Sequence, residues 1–296
     1  AYNRDDIMPH KDLKIFERPP LKNPKLVMGL TGWMDGGEVS TGTVECLIDA
    51  LEGHKIAEID PEPFYIMNFP GTMEMSALFR PYVRYVDGLL DKYQGPTNTI
   101  YVDKEHHLLF FIGREPHTHW ADYAAGIFSL VEEFNINGIY FVGSYAGLAP
   151  HTRDPKIVSV VSDESLKEQL KQFKVKFSDY EGPAGISSYL LKIARERGVS
   201  MTTLVAEIPA YIQGRNPKCI EAVTRRLAAM LKLEIDFDDM RRVSDDFERR
   251  LTEAVQEREE LAEHITKLEE NYDKEFFDTE MPDLKRFLLQ QGIRLD

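Results

Sequence analysis

Three short apolar runs, Leu26–Leu30, Ile139–Val142 and Leu204–Ala206, set the tightest limit on what this chain can fold into. None alternates apolar with polar residues, so each has to be covered on both faces, the condition of a central strand in a parallel sheet. Strands are predicted over 25–30, 55–60, 64–68, 98–103, 107–112, 138–143, 156–161 and 202–207, with a short extended run at 174–178. Helical spacing is predicted over 37–52, 119–134, 163–172, 186–197 and 216–232, with further helix-like material around 80–92. Strand and helix alternate repeatedly, with Gly-rich exits. That order predicts an α/β fold, a mostly parallel sheet flanked by helices on both faces.

At 296 residues the chain has room for one large α/β domain and an appendage. The polar, proline-bearing residues 1–24 are expected to wrap the surface. Composition shifts at Asp236, and from Asp239 to Phe277 there is neither Gly nor Pro. Met240, Phe247, Ala254, Leu261 and Leu268 recur every seven residues, with Leu251, Ile265 and Tyr272 as a second row. Arg250, Glu257, His264 and Asn271 fall where a coiled coil needs apolar partners. The stripe therefore fits a helix laid on a globular surface or paired in a hairpin, broken into two pieces. It is expected to pack through Met240, Phe247, Leu251, Leu261, Ile265 and Leu268. The predicted division is an α/β domain over 1–238 and a helical appendage over 239–296.

A net charge of -14 argues against duplex nucleic acid and against an anionic membrane surface, because both require clustered Lys and Arg. No apolar run approaches the ~20 residues of a membrane span. Cys46 and Cys219 lie far apart and read as free thiols of a reducing compartment. The first residues lack the apolar core of a secretory leader, so a cytoplasmic location is expected.

Two segments carry a resemblance. From Tyr180 to Pro217 the order is a Gly182-Pro183-x-Gly185 loop, a helix ending at Gly198, the strand Leu204–Ala206, then Glu207 and Pro209. Near the N-terminus stands Gly29-Leu30-Thr31-Gly32-Trp33-Met34-Asp35-Gly36-Gly37. Together they resemble the proteasome assembly chaperone 2 (PAC2) family over about Lys25 to Asp236. The resemblance implies a phosphorylase/hydrolase-like core, action through protein–protein interaction with a protein client, and self-association as a homo-oligomer, a trimer above all. It implies no cofactor and no catalytic residue. Trp120, Tyr123, Phe79 and Tyr82 are the expected apolar patch for self-contact.

Ligands in open parallel sheets bind where loops converge beyond the carboxyl ends of the strands. Thr31, Gly32, Asp35 and Gly36 form the first such loop, which either presents N–H groups to an anion or simply turns, with Asp35 capping the next helix. Gly143-Ser144-Tyr145-Ala146-Gly147 follows the second central run and is similar to the Gly-Ser/Thr-x-Gly turn of nucleoside phosphorylases, which would make Ser144 and Tyr145 site residues. Glu181 in the loop over 181–185, and Glu207 with Tyr211 after the third run, complete the candidate set. Two departures from the phosphorylase pattern matter. No Arg lies between Thr31 and Gly37, and Pro209 stands where a second carboxylate would hold a ribose. Losing both removes the charge-assisted contacts of phosphorolysis.

His117-Thr118-His119, His106-His107 and His151 lack the helical spacing of a metal motif, and no metal is expected. Two function classes remain: a PAC2-type protein acting through its surfaces, and a small-molecule (nucleotide- or phosphate-like) binding protein or enzyme with a degenerate phosphorylase-like pocket.

Overall fold

The computed structural model describes residues 10–280, with side chains through residue 275. Its strands are β1 Leu13–Ile15, β2 Lys25–Thr31, β3 His54–Ile59, β4 Tyr82–Val86, β5 Leu89–Gln94, β6 Thr99–Asp103, β7 Leu108–Arg114, β8 Gly138–Gly147, β9 Ile157–Ser159, β10 Lys176–Phe177 and β11 Met201–Pro209. Its helices are α1 Val39–Ala50, α2 Met73–Ala77, α3 Trp120–Glu133, α4 Ser165–Leu170, α5 Ile186–Arg197, α6 Pro217–Leu231, α7 Asp238–Gln256 and α8 Glu259–Glu280.

Nine strands form one sheet in the order β1-β3-β6-β7-β2-β8-β11-β9-β10. The three apolar runs became β2, β8 and β11, which are adjacent and central. With β7 they make a parallel block of four. The β1–β3, β3–β6, β6–β7 and β11–β9 pairings are antiparallel, and β10 closes the far edge parallel to β9. Successive side chains feed opposite layers. Leu26, Met28 and Leu30 point into a core shared with α3 and α5, while Val27 joins the layer of α1 and α6. The absence of polar alternation in β2 is thereby explained, since neither face meets water.

Helix α1 lies very close to β2. A Cβ on Gly29 would stand 2.5 Å from the Ser40 carbonyl oxygen. The Ser40 hydroxyl accepts from Leu30 N–H (3.0 Å) and donates to the Val142 carbonyl, tying α1 to both β2 and β8. Asn216 caps α6 by accepting from Cys219 N–H, and Pro217 occupies the first turn, where no donor is needed.

Two expected elements are corrected. Residues 64–68 form no strand: the Phe64 carbonyl accepts from the His117 and Thr118 N–H groups, so Phe64 and Tyr65 are buried on an irregular segment. Residues 80–92 are not helical. They form the β4–β5 hairpin, turning at Asp87 and Gly88, both with positive φ. The expected self-contact patch is also corrected. Tyr123 is fully buried against Phe64 and Phe111, and Trp120 packs on Tyr189 while donating to the Pro116 carbonyl. Phe79 stacks on Phe69, and of the four only Tyr82 is exposed.

The C-terminal stripe breaks into two helices at Glu257-Arg258, as expected. α7 packs on α6 and α8 returns along α7. Ile265, Leu268 and Tyr272 are buried, and Met240, Phe247 and Leu251 are half-buried. Leu261 departs from the expectation: it is 43% exposed, in the first turn of α8 and beyond the packed seam. The Tyr272 hydroxyl donates to the Asp154 carbonyl (2.7 Å), Lys156 sits over the Tyr272 ring, and Arg153 pairs with Asp273. These bonds fasten α8 to the 150–156 segment.

Candidate functional site

Because β2, β8 and β11 are parallel, their carboxyl ends bring the 31–37, 143–147 and 207–211 segments to one edge of the sheet. The first of these is held shut by its own hydrogen bonds. Trp33 N–H donates to Glu115 (3.0 Å), Ser144 N–H to the Met34 carbonyl (2.9 Å), and the Ser144 hydroxyl to the Gly36 carbonyl (2.7 Å). Gly32 has φ 130°, and a Cβ there would also press on Glu115 at 2.9 Å. Asp35 accepts from Thr41 N–H (3.0 Å) and from the Thr41 hydroxyl (2.8 Å), capping α1 from just outside the helix. Burial of its carboxylate pushes its pKa up to about 6, against the opposing pull of those hydrogen bonds.

Glu115 was missed in the sequence, where it reads as the end of a strand. One carboxylate oxygen takes Trp33 N–H and the other takes Ile186 N–H at the head of α5 (3.2 Å). It joins two segments that lie 82 and 71 residues from it along the chain. Its position just past the carboxyl end of a strand was the available signal.

Beneath these loops lies a cleft of about 510 Å³, walled by Trp33, Met34, Tyr145, Tyr180 and Leu191 and floored by β9 and β11. Ser144, Ser159, Ser178, Ser187, Ser188 and Thr203 supply its polar atoms, and no Asp, Glu, His, Lys or Arg belongs to its lining. Of the candidate residues, Ser144 and Tyr145 line this cleft, and Thr31, Gly32, Asp35 and Gly36 build or adjoin the loop above it. Glu181 is exposed and outside the lining. Glu207 and Tyr211 lie apart from it: Glu207 accepts from Leu148 N–H (2.8 Å), and the Tyr211 hydroxyl accepts from His151 N–H (2.8 Å). Burial lifts the Tyr145 and Tyr211 phenols to about 12, so both are neutral donors at physiological pH.

His117 accepts from Ile66 N–H through Nδ1 (3.1 Å). Among the described residues, no group of three or more His, Cys, Asp or Glu is placed to hold a metal ion. No helix among them is long and apolar enough to cross a membrane.

These features define an α/β protein with a large, mostly parallel sheet flanked by helices, whose carboxyl-end cleft is lined by apolar and uncharged polar side chains. The chain belongs to the PAC2 family, whose model matches residues 29–255. In structure it is similar to a proteasome-assembly chaperone homologue of Mycobacterium tuberculosis, with 26% identity and a TM-score of 0.70, covering 81% of this chain and 99% of that one. A PAC2 family protein of Streptomyces avermitilis matches with 25% identity, a TM-score of 0.69 and the same coverage. The Pyrococcus furiosus protein PbaB, described as an archaeal proteasome activator, shares the fold at 24% identity and a TM-score of 0.61, over 83% of this chain and 99% of its own. No curated protein matches the sequence.

Proposed function

We propose that this chain works through its protein surfaces, as a chaperone-type binder of another polypeptide, in a self-associated form, a trimer. The observation that carries this reading is the chemistry of the carboxyl-end cleft. The phosphorylase-type chemistry raised by the sequence needs charged groups there, whereas here the Ser144 donors are engaged by the adjacent loop and the lining holds no acid, base or cation. The likeness to a proteasome-assembly chaperone homologue supports proteasome subunits as the class of client. In this reading the α/β unit through residue 238 is the scaffold, and the helices beyond it brace the 150–156 segment. The free thiols Cys46 and Cys219 accord with a reducing, cytoplasmic setting.

Titrating the purified chain with purified proteasome α and β subunits tests the client. A co-sedimenting complex at micromolar concentration is expected, and subunits that sediment alone throughout the titration overturn it.

A small-molecule reading draws on one observation: the buried Ser159 hydroxyl beside the cleft has no hydrogen-bond partner. The cleft also falls within the ~300–1,000 Å³ of ligand sites. Phosphorolysis nonetheless lacks its cation and its ribose carboxylate. Nucleoside incubated with phosphate and this chain is expected to release base no faster than a protein-free blank. Phosphate-dependent cleavage that disappears in Glu207→Ala would reverse that conclusion.

A further inference from the structure

Between β3 and β6 the chain leaves the main sheet and builds α2 and the β4–β5 hairpin. Every residue of both strands is exposed, and the hairpin is a separate two-stranded sheet. An isolated hairpin of this kind is marginal in water and needs a surface to pack on. Ten large apolar side chains from Met73 to Tyr93 are 39% to 85% exposed.

The register separates the two faces of the hairpin. Residues opposite each other on an antiparallel pair share a face. Val83 opposes Tyr93 and Tyr85 opposes Leu90, so all four point the same way. Leu90 and Tyr93 are three apart and would face opposite sides of a regular strand. The irregularity between Arg84 and Tyr85 absorbs one residue of β5 and brings them together. The other face carries Arg84 opposite Lys92, Tyr82 opposite Gln94 and Val86 opposite Leu89, with Lys92 over the Tyr82 ring. One side is therefore wholly apolar and the other is mixed with charge.

Area and charge indicate the occupant. A fully exposed aromatic side chain offers roughly 150–250 Å², so the ten large side chains of the α2 region and both hairpin faces together present on the order of 1,000 Å². That exceeds the ~300–600 Å² patch usual on a monomer. It also meets the ~800 Å² that a stable interface takes from each partner. Over residues 66–95, Arg80, Arg84 and Lys92 balance Glu74, Asp87 and Asp91, so this segment is neutral and the chain's -14 resides elsewhere. Two copies of so acidic a chain repel through their charged faces, and a neutral segment adds nothing to that repulsion.

We propose that this α2–hairpin segment, led by the face formed by Val83, Tyr85, Leu90 and Tyr93, docks against a second copy of this chain. The proposal rests on the self-association reading above and assigns its surface.

Sedimentation velocity on the full chain tests it, comparing wild type with Tyr85→Asp/Leu90→Asp and with Lys92→Asp on the opposite face. These side chains are exposed, so near-UV circular dichroism and melting temperature are expected to stay as in wild type. Leu90→Ser repeats the measurement without an added charge. Wild type and Lys92→Asp are expected to sediment as the multimer, the double variant as monomer, and Leu90→Ser with a rise in dissociation constant of tenfold or more. A double variant that keeps the multimer mass overturns the hairpin assignment and leaves self-association standing. Dissociation by Lys92→Asp as complete as by the double variant overturns the choice of face. Wild type that remains monomeric at high micromolar concentration overturns self-association itself, and the docking proposal with it.

Discussion

Asp35 is a buried acid beside the start of α1, and loss of water raises its pKa from 3.8 to about 6. The folded state therefore binds its proton more tightly than the unfolded chain does. Its contribution to stability is complete below pH 3.8 and is lost as pH rises through about 6. Asp35→Asn keeps an acceptor for Thr41 N–H and removes the titration. Relative to wild type, the variant is expected to gain on the order of 2 kcal/mol between pH 4 and pH 7, read from paired urea melts. A difference that stays constant across that range would mean Asp35 titrates like an exposed acid. Glu115 sits on the other side of the same loop, and its substitution leaves donors stranded instead. Glu115→Ala removes the acceptors of Trp33 and Ile186 N–H and is expected to cost about 1–3 kcal/mol. Faster hydrogen exchange should be confined to those two amides and their loops; unchanged exchange there would show that the clamp holds nothing. Asp35 was legible as a helix cap because it precedes a helix by a few residues. Glu115 was not, since its partners come from β2 and α5 and meet it only once the sheet has formed.

At the scale of elements, legibility followed the source of each signal. β2, β8 and β11 were readable because burial on two faces leaves an uninterrupted apolar run in the sequence. The β4–β5 hairpin was misread as helical because its apolar residues are unburied and their spacing reports no core. The informative pair was Asp87-Gly88, whose positive φ angles suit the tight turn of a two-residue hairpin. The segment at 64–68 looked like a strand because Phe64 and Tyr65 are buried, yet its backbone bonds go to residues 117 and 118 rather than to a ladder. For α8, heptad spacing found the buried side of the helix but not where contact begins. Leu268 lies in the seam and Leu261 outside it. Leu268→Ala is accordingly expected to cost about 2–5 kcal/mol in denaturant unfolding. Leu261→Ala should stay within roughly 0.5 kcal/mol of wild type. The reverse order would place α8 against a different surface from the one described.

For the molecule as a whole, the distribution of charge bears on how copies meet. With -14 on the chain and a neutral apolar hairpin, association has an attractive short-range component and a repulsive long-range one. The two respond differently to salt. Apolar burial is little affected by moderate ionic strength, whereas repulsion between acidic surfaces fades once the Debye length shrinks to ~10 Å at 0.1 M. An interface built on ion pairs would weaken under the same change, because screening removes its attraction. Self-association through the hairpin is therefore expected to tighten as salt rises from about 20 to 200 mM, where the Debye length falls to less than half. Sedimentation equilibrium across that series reads the sign directly. A dissociation constant that rises with salt would assign the contact to charged faces, and an unchanged one would mean that the acidic surfaces stay too far apart to feel each other.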